Sequence, residues 1–144
     1  MLLLDTHVVV WLIAGELHRL PRPAAEGLLS ALNQGRVAVS AASFWELALK
    51  LRKRPERLPS LPPIGAVRTS LLDQGIAEVP VTGSLWIDAV TLAERGFHDD
   101  PADQLIVASA IATDRELVTN DRAIVTWARA TEMLSVYAGI DGMH

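Results

Sequence analysis

Four acids drawn from distant parts of the chain could do chemistry together: Asp5, Glu46, Asp103 and Asp121. Asp5 directly follows the all-apolar run Leu2-Leu3-Leu4, which reads as a buried strand. Glu46 lies among Phe44, Trp45, Leu47 and Leu49, surroundings in which a carboxylate needs a partner; Lys50, one helical turn on, is one. Asp103 falls on the first turn of a helix that Asp100 would cap and Pro101 would begin, beside free backbone N–H groups. Asp121 closes the short strand Glu116 to Thr119. In an open α/β sheet, strand ends and helix starts converge on one rim, where ligands bind. Carboxylates gathered there with little basic charge between them repel one another unless paired. A divalent cation resolves the repulsion, and oxygen-only donors favour Mg2+ or Mn2+. Such an ion polarises a phosphoryl oxygen, lowers the pKa of a bound water and offsets charge on a leaving oxygen, which is the chemistry of phosphodiester hydrolysis.

Each acid also has a plainer explanation. Asp5 and Asp121 suit helix N-caps, Asp100 with Asp103 is close to a capping box, and Ser43-x-x-Glu46 fits that pattern too. Only convergence on one rim separates a metal site from a set of caps. His7 reads as a packing or surface residue, because no partner His stands at ligand spacing. Lys50, Arg52, Lys53, Arg54 and Arg57 form the basic cluster, either a solvated helix end or a phosphate-binding patch.

The elements that must position these residues alternate along the chain. After the first strand comes a helix from Val8 to Ala14, stopped by Gly15. A helix over Pro23 to Gln34, the strand Val37 to Ser40 and a helix from near Ser43 through Leu51 follow. Beyond a proline-rich loop, Pro55 to Pro63, lie a helix Ile64 to Gln74, a strand Ile76 to Val81 and a helix capped by Ser84 that runs to about Arg95. The central helix after Pro101, the strand Glu116 to Thr119, a helix Arg122 to Arg129 and a last strand Leu134 to Tyr137 complete the series. Ala138 to His144 reads as a loose tail. The alternation predicts one α/β domain over residues 1–144 with a mainly parallel sheet of four or five strands.

Half of the 144 residues are hydrophobic, enough for a substantial core, and an apolar excess that a buried partner surface would explain. There is no cysteine, which excludes disulfides and thiolate zinc sites. The net charge of −4 rules out a broad basic coat for nucleic acid, so any such contact is local. Asp5 and His7 interrupt the apolar start, and no run reaches the length of a membrane span, so the expectation is a cytoplasmic protein away from membranes.

The stretches LLLDTHVVVWLIAG, VSAASFWELALK, HDDPADQLIVASA and LVTND, in this order, resemble successive signatures of PIN-domain ribonucleases. The likeness is to the toxin subunits of the virulence-associated (VapBC) toxin–antitoxin systems, and it covers nearly the whole chain. It implies a three-layer α/β/α sandwich and a Mg2+- or Mn2+-dependent endoribonuclease. It carries the family's acid quartet onto Asp5, Glu46, Asp103 and Asp121, and its supporting residues onto Thr6, Asp100 and Thr119. Lys50, Arg52 and Lys53 become candidates for contact with substrate phosphates. The resemblance also implies RNA as substrate, a homodimer, and a small antitoxin that lays an apolar helix in a groove. One departure is Gln104, where members of the family often have Arg; a change of pairing around the site is the expectation. Two other readings stay open on the residues alone. A haloacid dehalogenase-like phosphatase also has Asp after its first strand, but wants a second Asp where His7 stands. A binding module whose acids are all caps needs no chemistry.

Overall fold

The computed structural model describes residues 1–57 and 61–139. Its core element is β1 (Leu2–Leu4), with no polar side chain to turn toward water. Such a strand must be covered on both faces, and a parallel sheet with helices on each side does that. The other strands are β2 (Val37–Ser40), β3 (Ala77–Val79) and β4 (Glu116–Val118), all parallel, in the order β3-β2-β1-β4. Leu2 aligns with Val37 on one side and Glu116 on the other.

Side chains alternate across the pleat and so divide the core in two. Leu3, Ala38 and Leu117 face a layer that includes Leu92, Leu105, Ile106 and Trp127. These come from α5 (Gly83–Glu94), α6 (Pro101–Ala112) and α7 (Arg122–Thr131). Leu2, Leu4, Val37, Val39 and Val118 face the opposite layer, with Val8, Leu28, Leu47 and Leu71. That layer is α1 (Thr6–Ala14), α2 (Arg22–Asn33), α3 (Ala41–Lys53) and α4 (Ile64–Asp73). The result is the expected three-layer α/β/α sandwich. In α6 the residues Leu105 to Ala110 are all buried, so this helix is enclosed rather than amphipathic.

Several boundaries differ from the sequence reading. Helix α1 begins at Thr6, two residues early, because Asp5 caps it directly. Ser40, not Ser43, caps α3, accepting a hydrogen bond from the Ala42 amide at 3.1 Å. Ser43 is then inside the helix and wholly buried, so the Ser43–Glu46 capping box does not form. Thr82 rather than Ser84 caps α5. The last strand shrinks to a bridge between Leu117 and Val136, held by backbone bonds from Leu117 to Ser135 and from Tyr137 to Leu117. The sheet therefore has four strands among the described residues. Part of the proline-rich loop (58–60) and most of the expected tail (140–144) lie outside the described residues.

Gly27 shows how closely this edge packs. A Cβ there would collide with the Tyr137 hydroxyl, so the bare backbone of α2 is what seats the Tyr137 ring. Gly27→Ala should therefore cost about 1–3 kcal/mol by overpacking, despite the better helix propensity of Ala. Urea denaturation of the two proteins checks this; equal stability would mean the ring is not held there.

Candidate metal centre

The strand order reverses direction at β1, with β2 on one side and β4 on the other, and such switch points open a crevice at the carboxyl ends of the strands. Asp5 stands at the end of β1 and is 2% exposed. Its Oδ1 accepts the Thr6 amide at 2.8 Å, and its Oδ2 accepts the Thr119 hydroxyl at 2.7 Å. The same Thr119 oxygen accepts the Asp121 amide at 3.0 Å, linking both strand ends through one hydroxyl. Asp121 caps α7, with Oδ1 accepting from Ala123 at 2.8 Å and Ile124 at 3.3 Å. The Thr6 and Ser43 hydroxyls meet at 3.0 Å and tie α1 to α3, the helix that carries Glu46. Glu46 has Lys50 Nζ at 3.5 Å.

Asp100 caps α6 by accepting the Asp103 amide at 3.1 Å. The Asp103 carboxylate itself accepts no backbone hydrogen bond among the described residues; its near partner is His98 Nε2 at 3.3 Å. Asp103 is also shared by two groups of ligand-type atoms. Those of Glu46, Asp100 and Asp103 lie within 4.8 Å of one another, as do those of His98, Asp103 and Asp121. Asp5 belongs to neither group, yet its charge reaches Asp103. Burial first, then the charges of Asp5, Asp100, Glu46 and Asp121, push the Asp103 carboxyl up to about 7. Asp103 is thus grouped with Glu46 on one side and with Asp121 on the other, while Asp5 acts on it through its charge. The oxygen donors grouped on Asp103 and their mutual repulsion fit a hard divalent cation.

Two histidines were not foreseen as parts of this site. His98 Nδ1 accepts the Asp100 amide at 3.2 Å, so in the neutral ring the proton sits on Nε2 and faces Asp103. His7 Nε2 accepts the Asn120 amide at 2.9 Å, so its proton sits on Nδ1, 3.5 Å from Asp5 Oδ2. Backbone amides thus set both tautomers, and each ring turns an N–H, not a lone pair, toward a carboxylate. The signal for His98 was present: it opens the same HDDPAD loop as Asp103. Gln104 is buried and donates Nε2 to the His98 carbonyl at 2.9 Å, bracing that loop. Lys50 and Lys53 line a cavity of about 250 Å³ with Trp45, Glu46 and Asp100; Arg52 is not among its lining residues.

The PIN domain family profile matches residues 2–130. Ribonuclease VapC22 of Mycobacterium tuberculosis is 36% identical over 122 residues, spanning 85% of this chain and 88% of that protein. Among solved structures, VapBC2 from Rickettsia felis bound to a promoter DNA fragment aligns with a TM-score of 0.63 at 19% identity, over 94% of this chain and 96% of that one. A toxin–antitoxin complex from Klebsiella pneumoniae aligns with a TM-score of 0.60 at 16% identity, over 94% and 97%. FitAcB from Neisseria gonorrhoeae follows with a TM-score of 0.56 at 22% identity, over 95% and 96%. These structural likenesses bear on the fold.

The raised Asp103 carboxyl has a consequence for the metal-free protein. Its folded value of about 7 lies above the ordinary 3.8, so the folded state holds a proton that the unfolded state has released. Stability then falls as pH rises between those two values and levels off above them. Asp103→Asn removes this dependence and breaks no backbone bond. In EDTA, the variant should gain on wild type between pH 5 and pH 8, as read by urea denaturation. A difference that stays constant over that interval would contradict the crowding.

Proposed function

This chain belongs to the PIN-domain family, and we propose that it is a VapC-type endoribonuclease, the toxin half of a toxin–antitoxin pair. The observation that carries the proposal is the acid cluster centred on Asp103. The 36% identity to a protein named as a ribonuclease supports the choice of RNA over another phosphodiester. The cap-only reading explains Asp5, Asp100 and Asp121, but gives no reason for Asp103.

In this reading Asp5, Glu46, Asp103 and Asp121 hold Mg2+ or Mn2+. When bound, the ion supplies a water of lowered pKa and stabilises charge on the phosphate. The chain's own residues prepare the place. Thr119 fixes Asp5 and the amide of Asp121. Thr6 with Ser43 holds the helix of Glu46 against that of Asp5. Asp100 sets the first turn of α6, and with it Asp103. His98 and His7 steady two of the carboxylates. Lys50, Arg52 and Lys53, in the last turns of α3, contact substrate phosphates.

The partners follow from the same reading. The comparison structures include toxin–antitoxin complexes, which supports a small antitoxin as partner. Exposed apolar side chains, Trp86, Ile87 and Val90 on α5 and Leu29 on α2, support burial by an antitoxin helix or a second copy in a homodimer. The reading puts the protein in the cytoplasm with its RNA. Among the described residues no helix is long and apolar enough to cross a membrane.

Cleavage of a structured RNA in Mg2+, in Mn2+ and in EDTA tests the activity. Wild type should cut with either ion and stop in EDTA. Asp103→Asn and Glu46→Gln should each lose about a hundredfold or more while melting as folded proteins. A folded Asp103→Asn protein with wild-type turnover would refute the assignment. Copurification from the native operon and light scattering of the isolated chain test the partners. A monomer with no small protein attached would contradict that part.

A further inference from the structure

Against Thr119, the residue that bonds Asp5, lies a cavity of about 490 Å³ whose charged lining residues, among those described, are Arg122 and Arg129. Its polar and apolar walls include Asn120, Arg122, Val125, Thr126, Arg129 and Tyr137. Among the described residues no carboxylate lines it, whereas the cavity near Lys50 carries Glu46 and Asp100, and two further ones carry Glu132 and Glu116. On a chain of net charge −4 this is a local exception. Arg122 and Arg129 are exposed and share one face of α7, two helical turns apart. Neither is within ion-pair distance of an acid among the described residues.

The cavity shares two wall residues with the surroundings of the candidate centre. Thr119, which bonds Asp5, is part of its wall, and so is Asn120, whose amide is held by His7. From that shared wall, Arg122 and Arg129 lead away along α7, and among the described residues no carboxylate lines the cavity they border. Between the two guanidinium groups, Val125 and Tyr137 offer an apolar surface and an aromatic ring, while Asn120 and Thr126 offer hydrogen bonds. Cations that track a backbone, with an apolar floor for bases, are the makings of a single-strand nucleic-acid site.

We propose that the cavity between α2 and α7 is a substrate subsite, in which Arg122 and Arg129 bind phosphates of single-stranded RNA flanking the bond that is cut. The proposal rests on the ribonuclease reading and extends it to a residue-level substrate path. Arg129 stands at the far end of α7 from Asp121, so it can be changed without touching the acids.

The test uses Asp103→Asn as a binding-only background and a fluorescent single-stranded RNA of about twelve nucleotides. Adding Arg122→Ala and Arg129→Ala should weaken binding about tenfold, as expected for two exposed charge contacts. The slope of log affinity against log salt should shrink by about 0.7 for each lost contact. In the cleaving protein, Arg129→Ala should raise KM for an RNA long enough to reach α7 and leave kcat unchanged. Unchanged affinity and salt slope, in a wild-type protein that does cut RNA, would overturn the subsite alone. Absence of any cutting by wild type would instead bring down the ribonuclease reading. If the arginine variants bind RNA normally but lose the copurifying small protein, the cavity is a protein-docking site and the RNA assignment is wrong.

Discussion

The repulsion concentrated on Asp103 is the constraint on which the rest of this structure turns. Burial and four neighbouring carboxylates act on one group, whose nearest described partner is a histidine N–H. A folded chain tolerates such a cluster only if the elements bearing it are held from elsewhere. Here the holding is done by the apolar core on both faces of the sheet and by a few buried hydroxyls. Thr119 joins the ends of β1 and β4, and Thr6 with Ser43 joins α1 to α3. The sandwich thus brings four carboxylates together that would separate in a free chain.

Capping and ligation are not rivals at this rim. Asp5, Asp100 and Asp121 each place an oxygen on the backbone N–H groups of a helix start, which fixes the carboxylate's position. A cap is a rigid mount, and an acid mounted at a strand end already faces the crevice. Asp103 and Glu46 complete the set from inside their helices, where no cap holds them. That division matches the fall of the largest perturbation on Asp103, a carboxylate that no helix start holds.

The apolar runs and the acids that close them were legible in the sequence. Leu2-Leu3-Leu4 is buried on both faces, and a strand of that kind constrains its neighbours enough to reveal the layers. The caps were read less well. Ser40 and Ser43 are both competent caps, and the choice depends on where β2 releases the chain into α3, a tertiary matter. Likewise Thr82 wins over Ser84 where the chain leaves β3. The strand expected over Leu134 to Tyr137 carries the right residues, but only Val136 meets β4 in register. The position of His98 in the acid loop was legible, but its role was not, because that depends on which nitrogen the Asp100 amide selects. The cationic cavity was invisible for a related reason. Arg122 and Arg129 are scattered along one helix, and only folding brings Asn120 and Tyr137 beside them.

Thermal melts of wild type and Asp103→Asn in EDTA and in Mn2+ test the central claim, that these acids converge to bind a divalent ion. Wild type should be stabilised by mass action, about 2.7 kcal/mol at a hundredfold excess over Kd, a rise of several degrees in Tm. Asp103→Asn should be at least as stable as wild type in EDTA and gain little from Mn2+. A variant that is less stable in EDTA yet keeps the full wild-type shift would mean that Asp103 serves the helix and not the ion.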